Sequence, residues 1–174
     1  MFHTLFPTAL GTCGMAWNDA GLTGFQLPES TEAETERNLV ATTCSLPAPN
    51  PLPPQVQAVI ERVQHHLQGK LQDFSDIRLD WSQVSEFQHA VYLQTLAIKP
   101  GYKKSYGEIA QLLALGPAAA RAVGTALATN PWPLLVPCHR VVSAGDKMTG
   151  FSGPGGVLTK TRLLALEGAE LLSE

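Results

Sequence analysis

The chain has 174 residues, 44% of them hydrophobic and 16% charged, with a net charge of −3. Those proportions suit a folded chain of one domain or two small ones and exclude a disordered or fibrous protein. No apolar run approaches the roughly 20 residues of a membrane span. The start, Met1-Phe2-His3-Thr4-Leu5-Phe6-Pro7, lacks the basic residues and long apolar stretch of a signal peptide, so a cytoplasmic protein is expected, or a nuclear one in a eukaryote.

The three cysteines, Cys13, Cys44 and Cys138, lie far apart with no Cys-x-x-Cys pair. That favours a reducing compartment over a disulfide frame or a classical zinc site. Charge is uneven along the chain. Residues 1–88 hold four Lys/Arg against ten Asp/Glu, a balance of −6; residues 89–174 hold eight against five, a balance of +3. A mildly basic half on an acidic protein points weakly to a polyanion, and chance scatter explains it as well.

Residues 1–28 read as strands and turns. Asn18-Asp19-Ala20-Gly21 is a hairpin-type turn between Met15-Ala16-Trp17 and Leu22-Thr23-Gly24-Phe25. Residues 30–41 are acidic and helix-compatible, starting at Ser30 or Thr31. Pro47, Pro49, Pro51, Pro53 and Pro54 mark an extended loop. A helix is predicted from about Pro54 to Leu67, with Val56, Val59, Ile60, Val63 and Leu67 on one face and Gly69 ending it. Leu71 to Trp81 holds a short strand or loop.

From Ser85 every segment reads as helix. Ser85-Glu86-Phe87-Gln88 is a capping-box signature, followed by Phe87, Val91, Gln94 and Ile98 at helical spacing. Pro100-Gly101 stops that helix. Ser105-Tyr106-Gly107-Glu108 is a second capping box, with Ile109, Leu112 and Leu113 as its apolar face. Gly116 is expected to cap it and Pro117 to open the next helix, which runs to about Ala128. Two helices joined by Leu-Gly-Pro make a helix-turn-helix. The second carries alanines, Gly124 and one large cation, Arg121. Such a face suits tight packing inside the domain, or a protein that presses into the minor groove of DNA and reads little sequence.

Asn130-Pro131-Trp132-Pro133-Leu134-Leu135-Val136-Pro137-Cys138-His139-Arg140-Val141-Val142 is the most informative run. Pro131, Pro133 and Pro137 exclude regular helix or central strand, and Leu134, Leu135 and Val136 bury the segment as a stiff crossing. A lone Cys is commonly a small buried hydrophobe. Here an imidazole and a guanidinium follow within two residues, and cationic neighbours raise the thiolate fraction. Cys138 is therefore a candidate nucleophile, reached by His139 directly or through water.

Residues 85–168 closely resemble the O6-alkylguanine-DNA alkyltransferases, the methylated-DNA–protein-cysteine methyltransferase family. Pro137-Cys138-His139-Arg140 looks like that family's active-site motif. Ser105-Tyr106-Gly107-Glu108-Ile109-Ala110, Ala120-Arg121-Ala122-Val123-Gly124, Asn130-Pro131 and Leu163-Leu164-Ala165-Leu166-Glu167-Gly168 follow in the family's order. The first half matches weakly, mainly through Gly21-Leu22-Thr23-Gly24-Phe25.

The resemblance implies a DNA-repair protein that moves an alkyl group from O6 of guanine, with O4 of thymine as a second candidate, to the Cys138 sulfur. Transfer happens once per molecule and needs no cofactor. His139 is implied as the base acting through water, Glu167 as its orienter, Asn130 as a brace of the turn, and Arg140 as a structural pair. Arg121 is implied as the finger that fills the space left by a flipped nucleotide; alone it reads as a solvated charge, as Glu167 reads as a surface acid. Tyr106 is implied to push the phosphate backbone and donate to the extruded base. Ala119, Ala120, Ala122 and Gly124 are expected on the DNA face.

Phe151, Ser152, Val141 and Pro133 are expected to line the alkyl pocket, within the loop Met148 to Gly156 and around it. Backbone N–H groups at Val141 and near Ser152 are the candidates to bind guanine O6. Phe151 stands where many members carry Tyr, and Gly153-Pro154 looks like a two-residue insertion. No zinc is expected: His3, Cys13, Cys44, His65, His66 and His89 have no recognisable ligand spacing.

The expected fold is α+β. Residues 1–84 form a small α/β domain with an antiparallel sheet, ribonuclease-H-like by the resemblance. Residues 85–174 form a mostly helical domain with the helix-turn-helix and the reactive Cys. The partner is double-stranded DNA carrying alkylated bases, bound by a monomer through the minor groove with little sequence preference and no membrane. Rival readings are a non-catalytic, alkyltransferase-like lesion binder, a transcription factor and a cysteine hydrolase.

Overall fold

Three strands form at the start because their turn residues permit it. β1 (Phe2–Thr8), β2 (Gly11–Asn18) and β3 (Gly21–Gln26) are joined by two-residue connections, with Gly11 and Gly21 at positive φ. The Asn18 side chain accepts from the Ala20 and Gly21 amides, which closes the β2–β3 turn as the sequence predicts. β2 is central and buries Cys13, Met15, Ala16 and Trp17. A short β4 (Leu46–Pro47) joins the other edge, in the order β3-β2-β1-β4. It runs parallel to β1, so the sheet is mixed and not wholly antiparallel.

The computed structural model describes residues 1–145 and 150–169. They divide into two units. The first holds Met1–Gln72 and Asp76–Asp80; the second holds Asp73–Ser75 and the chain from Trp81 on.

In the first unit α1 (Glu32–Thr43) starts at Thr31, whose hydroxyl accepts from the Glu34 amide. α2 (Pro54–Leu67) buries Val56, Ile60, Val63 and Leu67, with Val59 half-buried beside them. Two of the histidines weighed as metal ligands have hydrogen-bond partners within the unit. His3 bonds Glu36 at 2.9 Å and Ser45 at 3.0 Å, and His66 Nδ1 accepts from the Gln72 amide. Burial pushes the Cys13 thiol up to about 12.

In the second unit α3 (Glu86–Leu96) and α4 (Tyr106–Leu112) each begin with a complete capping box, Ser85 with Gln88 and Ser105 with Glu108. The buried stripe of α3 is Val91, Tyr92 and Thr95, continued by Ile98 beyond its end; Phe87 and Gln94 are only half-buried. α4 buries Ile109 and Ala110, while Leu112 is half exposed at 52%. The helix ends because Ala114, not Gly116, takes the left-handed conformation. Pro117–Ala119 then form a 3-10 turn and α5 (Ala120–Ala128) follows, so the expected single helix is two pieces.

Two short strands interrupt the expected all-helical half. β5 (Lys104–Ser105) pairs in parallel with β6 (Val141–Val142). That pairing ties the start of α4 to the residues just after Cys138. α6 (Gly156–Leu166) buries Lys160, Leu163 and Leu164. Glu167 caps α6 and lies one residue beyond the helix. No helix among the described residues is long and apolar enough to cross a membrane.

The two faces of α4 make separate predictions. Ile109→Ala should cost about 2–5 kcal/mol of unfolding free energy, and Leu112→Ala less than about 0.5 kcal/mol. Urea midpoints measure both; equal losses would show that the buried face is wrongly placed.

Candidate active site

Cys138 begins a 3-10 turn, Cys138–Arg140, at the end of the proline-rich crossing. The crossing is held from within. Asn130 Nδ2 donates to the Val136 carbonyl at 2.9 Å, and Asn130 Oδ1 accepts from the Trp132 amide at 2.9 Å. Leu134 takes a positive φ of 76° and, with Leu135 and Val136, is almost wholly buried. One asparagine side chain thus closes the loop that delivers the thiol.

The turn is anchored by one carboxylate. Glu167 Oε1 bonds His139 Nε2 at 2.8 Å and accepts from an Arg140 terminal nitrogen at 2.8 Å, while Glu167 Oε2 accepts from Arg140 Nε at 2.9 Å. A further Arg140 nitrogen donates to the Ile98 carbonyl at 2.6 Å. All three side chains are buried. The resemblance implies Glu167 as the orienter of His139 and Arg140 as a structural pair; sequence adjacency alone allows a direct contact of either with the thiol. Both side chains converge on Glu167.

The cation that acts on Cys138 is Lys160, which sequence reading missed. Lys160 is fully buried; its Nζ donates to the Val141 carbonyl at 2.6 Å and lies 5.7 Å from the centre of the Tyr106 ring. Burial pushes the Cys138 thiol upward. A hydrogen bond from Asn130, the Lys160 charge and the backbone amides of Cys138 and His139 oppose that shift. Burial in turn lowers the Lys160 pKa, and a Cys138 thiolate raises it. The available signal was the single Lys inside the apolar pattern of the last helix, Leu158-Thr159-Lys160-Thr161-Arg162-Leu163-Leu164.

The thiol opens into a cleft of about 820 Å3. Of the expected site residues, Tyr106, Ala120, Arg121, Gly124, Cys138, Phe151 and Ser152 line it together. The Tyr106 ring packs over Gly124, where an added Cβ would stand 3.8 Å from ring carbons. Burial, then the nearby thiolate, raise the Tyr106 pKa, which keeps its hydroxyl a donor. That hydroxyl reaches toward the Gly150 carbonyl at 3.5 Å, and the Ser152 hydroxyl donates to the Ala128 carbonyl at 2.7 Å. Arg121 is exposed at the cleft and also borders a neighbouring groove that includes Ala122 and Thr129.

Other expected positions lie elsewhere. Val141 is buried and its amide already donates to the Cys138 carbonyl, so that N–H is spent on the turn and does not reach a base. Pro133 sits in the crossing, bridged to Val136, and does not line the cleft. Ala119 ends the 3-10 turn before α5, also outside the cleft lining. His139, Glu167 and Asn130 stand behind the thiol. The Met148 and Thr149 part of the expected pocket loop lies outside the described residues.

Iodoacetamide labelling of Cys138, followed by peptide mass spectrometry across pH, should report Lys160 directly. Removing its charge in Lys160→Met removes a contribution that favours the thiolate, so the labelling profile should move to higher pH. An unmoved profile would show that Lys160 only fills space.

Residues 86–169 match the family model described as 6-O-methylguanine DNA methyltransferase, DNA binding domain. A methylated-DNA–protein-cysteine methyltransferase of Mycolicibacterium paratuberculosis is 45% identical over 108 residues; the match spans 62% of this chain and 62% of that protein. A DNA base-flipping protein of Thermus thermophilus is 37% identical over 128 residues, 71% of this chain and 84% of that one. The crystal structure of Mycobacterium tuberculosis OGT in complex with DNA matches with a TM-score of 0.77 at 31% identity, over 97% of this chain and 93% of that one. Likeness of fold across nearly the whole chain, together with the family model on the Cys138 half, means that this chain belongs to the methylated-DNA–protein-cysteine methyltransferase family.

Proposed function

We propose that this protein repairs alkylated DNA by moving the alkyl group from O6 of guanine onto Cys138, once per molecule. The observation that carries the reading is the placement of a buried thiol on a cleft whose rim bears Arg121. In the proposed step the Cys138 sulfur attacks the alkyl carbon and the carbon–oxygen bond breaks. The electron pair stays on the guanine, which takes a proton. The thioether formed is a poor leaving group, so the protein is consumed.

The thiol proton needs a destination. Glu167 holds His139 through Nε2, which leaves Nδ1 as the basic nitrogen of that tautomer and makes His139 the proposed base, through water. Glu167 acts through His139 and is a positioning residue. Lys160 favours the thiolate as the proton leaves. Tyr106 is proposed to donate to the purine, and Ser152 to hold the pocket edge against α5 through its Ala128 bond.

The target carbon is stacked inside a duplex, so the nucleotide must rotate out at a cost of a few kcal/mol. Arg121 is the proposed filler of the vacated space. Ala120, Ala122 and Gly124 give α5 a low profile suited to the minor groove, with little sequence readout. Double-stranded DNA, met by a monomer, is the proposed partner. The second reading is a non-catalytic, alkyltransferase-like lesion binder; the Thermus relative is named a DNA base-flipping protein. Cys138 lining the cleft favours transfer.

Intact-mass analysis after mixing with duplex DNA carrying O6-methylguanine tests this. One methyl should appear on Cys138 and none in Cys138→Ser, which should still bind the DNA. Tight binding by the unaltered chain with no gain in mass would establish the non-catalytic reading. Arg121→Ala should slow transfer from duplex by roughly tenfold to a hundredfold, in line with unstacking energies, and slow transfer from single strands far less. Normal duplex repair by that variant would remove the finger role.

A further inference from the structure

The first unit carries a recess that alkyl transfer does not use. It encloses about 300 Å3 between the β2–β3 hairpin, α2 and the Ile77–Arg78 strip. Small-molecule sites begin at about that volume. Its floor is apolar: Trp17 and Val56 are buried, and Val59 and Ile77 are half-buried.

The rim is unusual for so acidic a unit. Residues 1–88 contain only four Lys/Arg: Arg37, Arg62, Lys70 and Arg78. Two of them border this recess. Arg62 forks onto Asp76 with bonds of 3.1 and 2.8 Å, which forms a fixed polar wall. The Arg78 side chain is exposed and has no hydrogen-bond or ion-pair partner among the described residues. With acids in such excess, a cation left open at a recess marks a place for an anion from outside.

The walls are set in advance. The Asn18 amide is locked between Asp80, at 2.7 Å, and the turn amides. At Gly21 an added Cβ would stand 2.7 Å from the Arg78 carbonyl, so the strip lies tight against the hairpin, and the Leu22 amide donates to that same carbonyl at 3.0 Å. A recess that is already formed loses little ordering entropy on binding.

We propose that this recess binds small amphipathic monocarboxylates, with an aromatic or branched apolar body on the Trp17 floor and the carboxylate on the Arg78 guanidinium. The Asp19 carboxylate on the same rim disfavours dianions such as phosphate esters. A free acid and the C-terminal carboxylate behind an apolar residue share this chemistry. The proposal is independent of alkyl transfer.

A proton–nitrogen correlation spectrum of the full chain tests it. The Trp17 indole N–H reports the recess, and Trp81 and Trp132, which belong to the second unit, serve as internal references. Titration with 3-phenylpropionate should move the Trp17 signal saturably in the millimolar range or below. Phenethylamine, with the same ring and the opposite charge, should not. Arg78→Ala should weaken binding at least about tenfold. Val59→Trp, which fills the recess and leaves Arg78 in place, should abolish it. An N-acetylated tripeptide ending in Phe that binds tighter than 3-phenylpropionate identifies a peptide end as the ligand; weaker binding identifies a free acid. A Trp17 signal that stays still to about 10 mM, equal binding of phenethylamine, or an unchanged affinity in folded Arg78→Ala overturns the proposal.

Discussion

One buried carboxylate sets the geometry of the second unit. Glu167 receives an imidazole on one oxygen and shares a guanidinium across both, with almost no water to help. A carboxylate in such a place is costly unless fully paired, and removing one partner of a buried pair costs about 3–5 kcal/mol. The arrangement is therefore close to all-or-none. With His139 and Arg140 both turned to the end of α6, the third member of the turn, Cys138, faces the cleft. The direction of the thiol follows from where its two neighbours are held.

Burial and activation then oppose each other at the sulfur. Desolvation keeps the thiol protonated, while Asn130, Lys160 and the amides at the start of the 3-10 turn favour the thiolate. The balance suits a group that reacts once. A thiol that stays largely protonated at rest resists stray electrophiles and oxidation. Lys160 shares the tension, because burial lowers its own pKa and the Cys138 thiolate raises it. Proton loss at Cys138 and proton retention at Lys160 thus reinforce one another.

The sequence carried some of this plainly and some of it not at all. Both capping boxes, Ser85 with Gln88 and Ser105 with Glu108, were legible because a cap is a local pattern of four residues. So were the β2–β3 turn and α2, whose signals also lie within one element. The pairing of Lys104–Ser105 with Val141–Val142 was not legible: two residues have no periodicity, and each partner is 37 positions away. Propensity places the α4 terminus at Gly116, whereas Ala114 takes the left-handed conformation, ahead of the 3-10 turn at Pro117–Ala119. At the site, the proline-rich run pointed to Cys138 and motif resemblance to Tyr106 and Arg121, and the cleft brings the three together. It could not say that the Val141 amide is consumed by the turn, nor that a Lys from α6 stands by the sulfur, since both depend on tertiary contact.

The small residues of α5 show how one pattern serves two surfaces. Ala120, Gly124 and Ala128 line the cleft, and Gly124 sits under the Tyr106 ring. Ala122 and Ala126 border the groove on the other side of Arg121. Val123 and Leu127 are buried and hold the helix to its unit. A larger residue at 120 or 124 would enter the cleft from its floor, and one at 122 would fill the groove. Either change would lower the ridge on which Arg121 stands relative to its surroundings. What reads in sequence as an alanine-rich helix is the steric condition for a single long cation to project between two concavities, with the Cys138 sulfur on the wall of one of them.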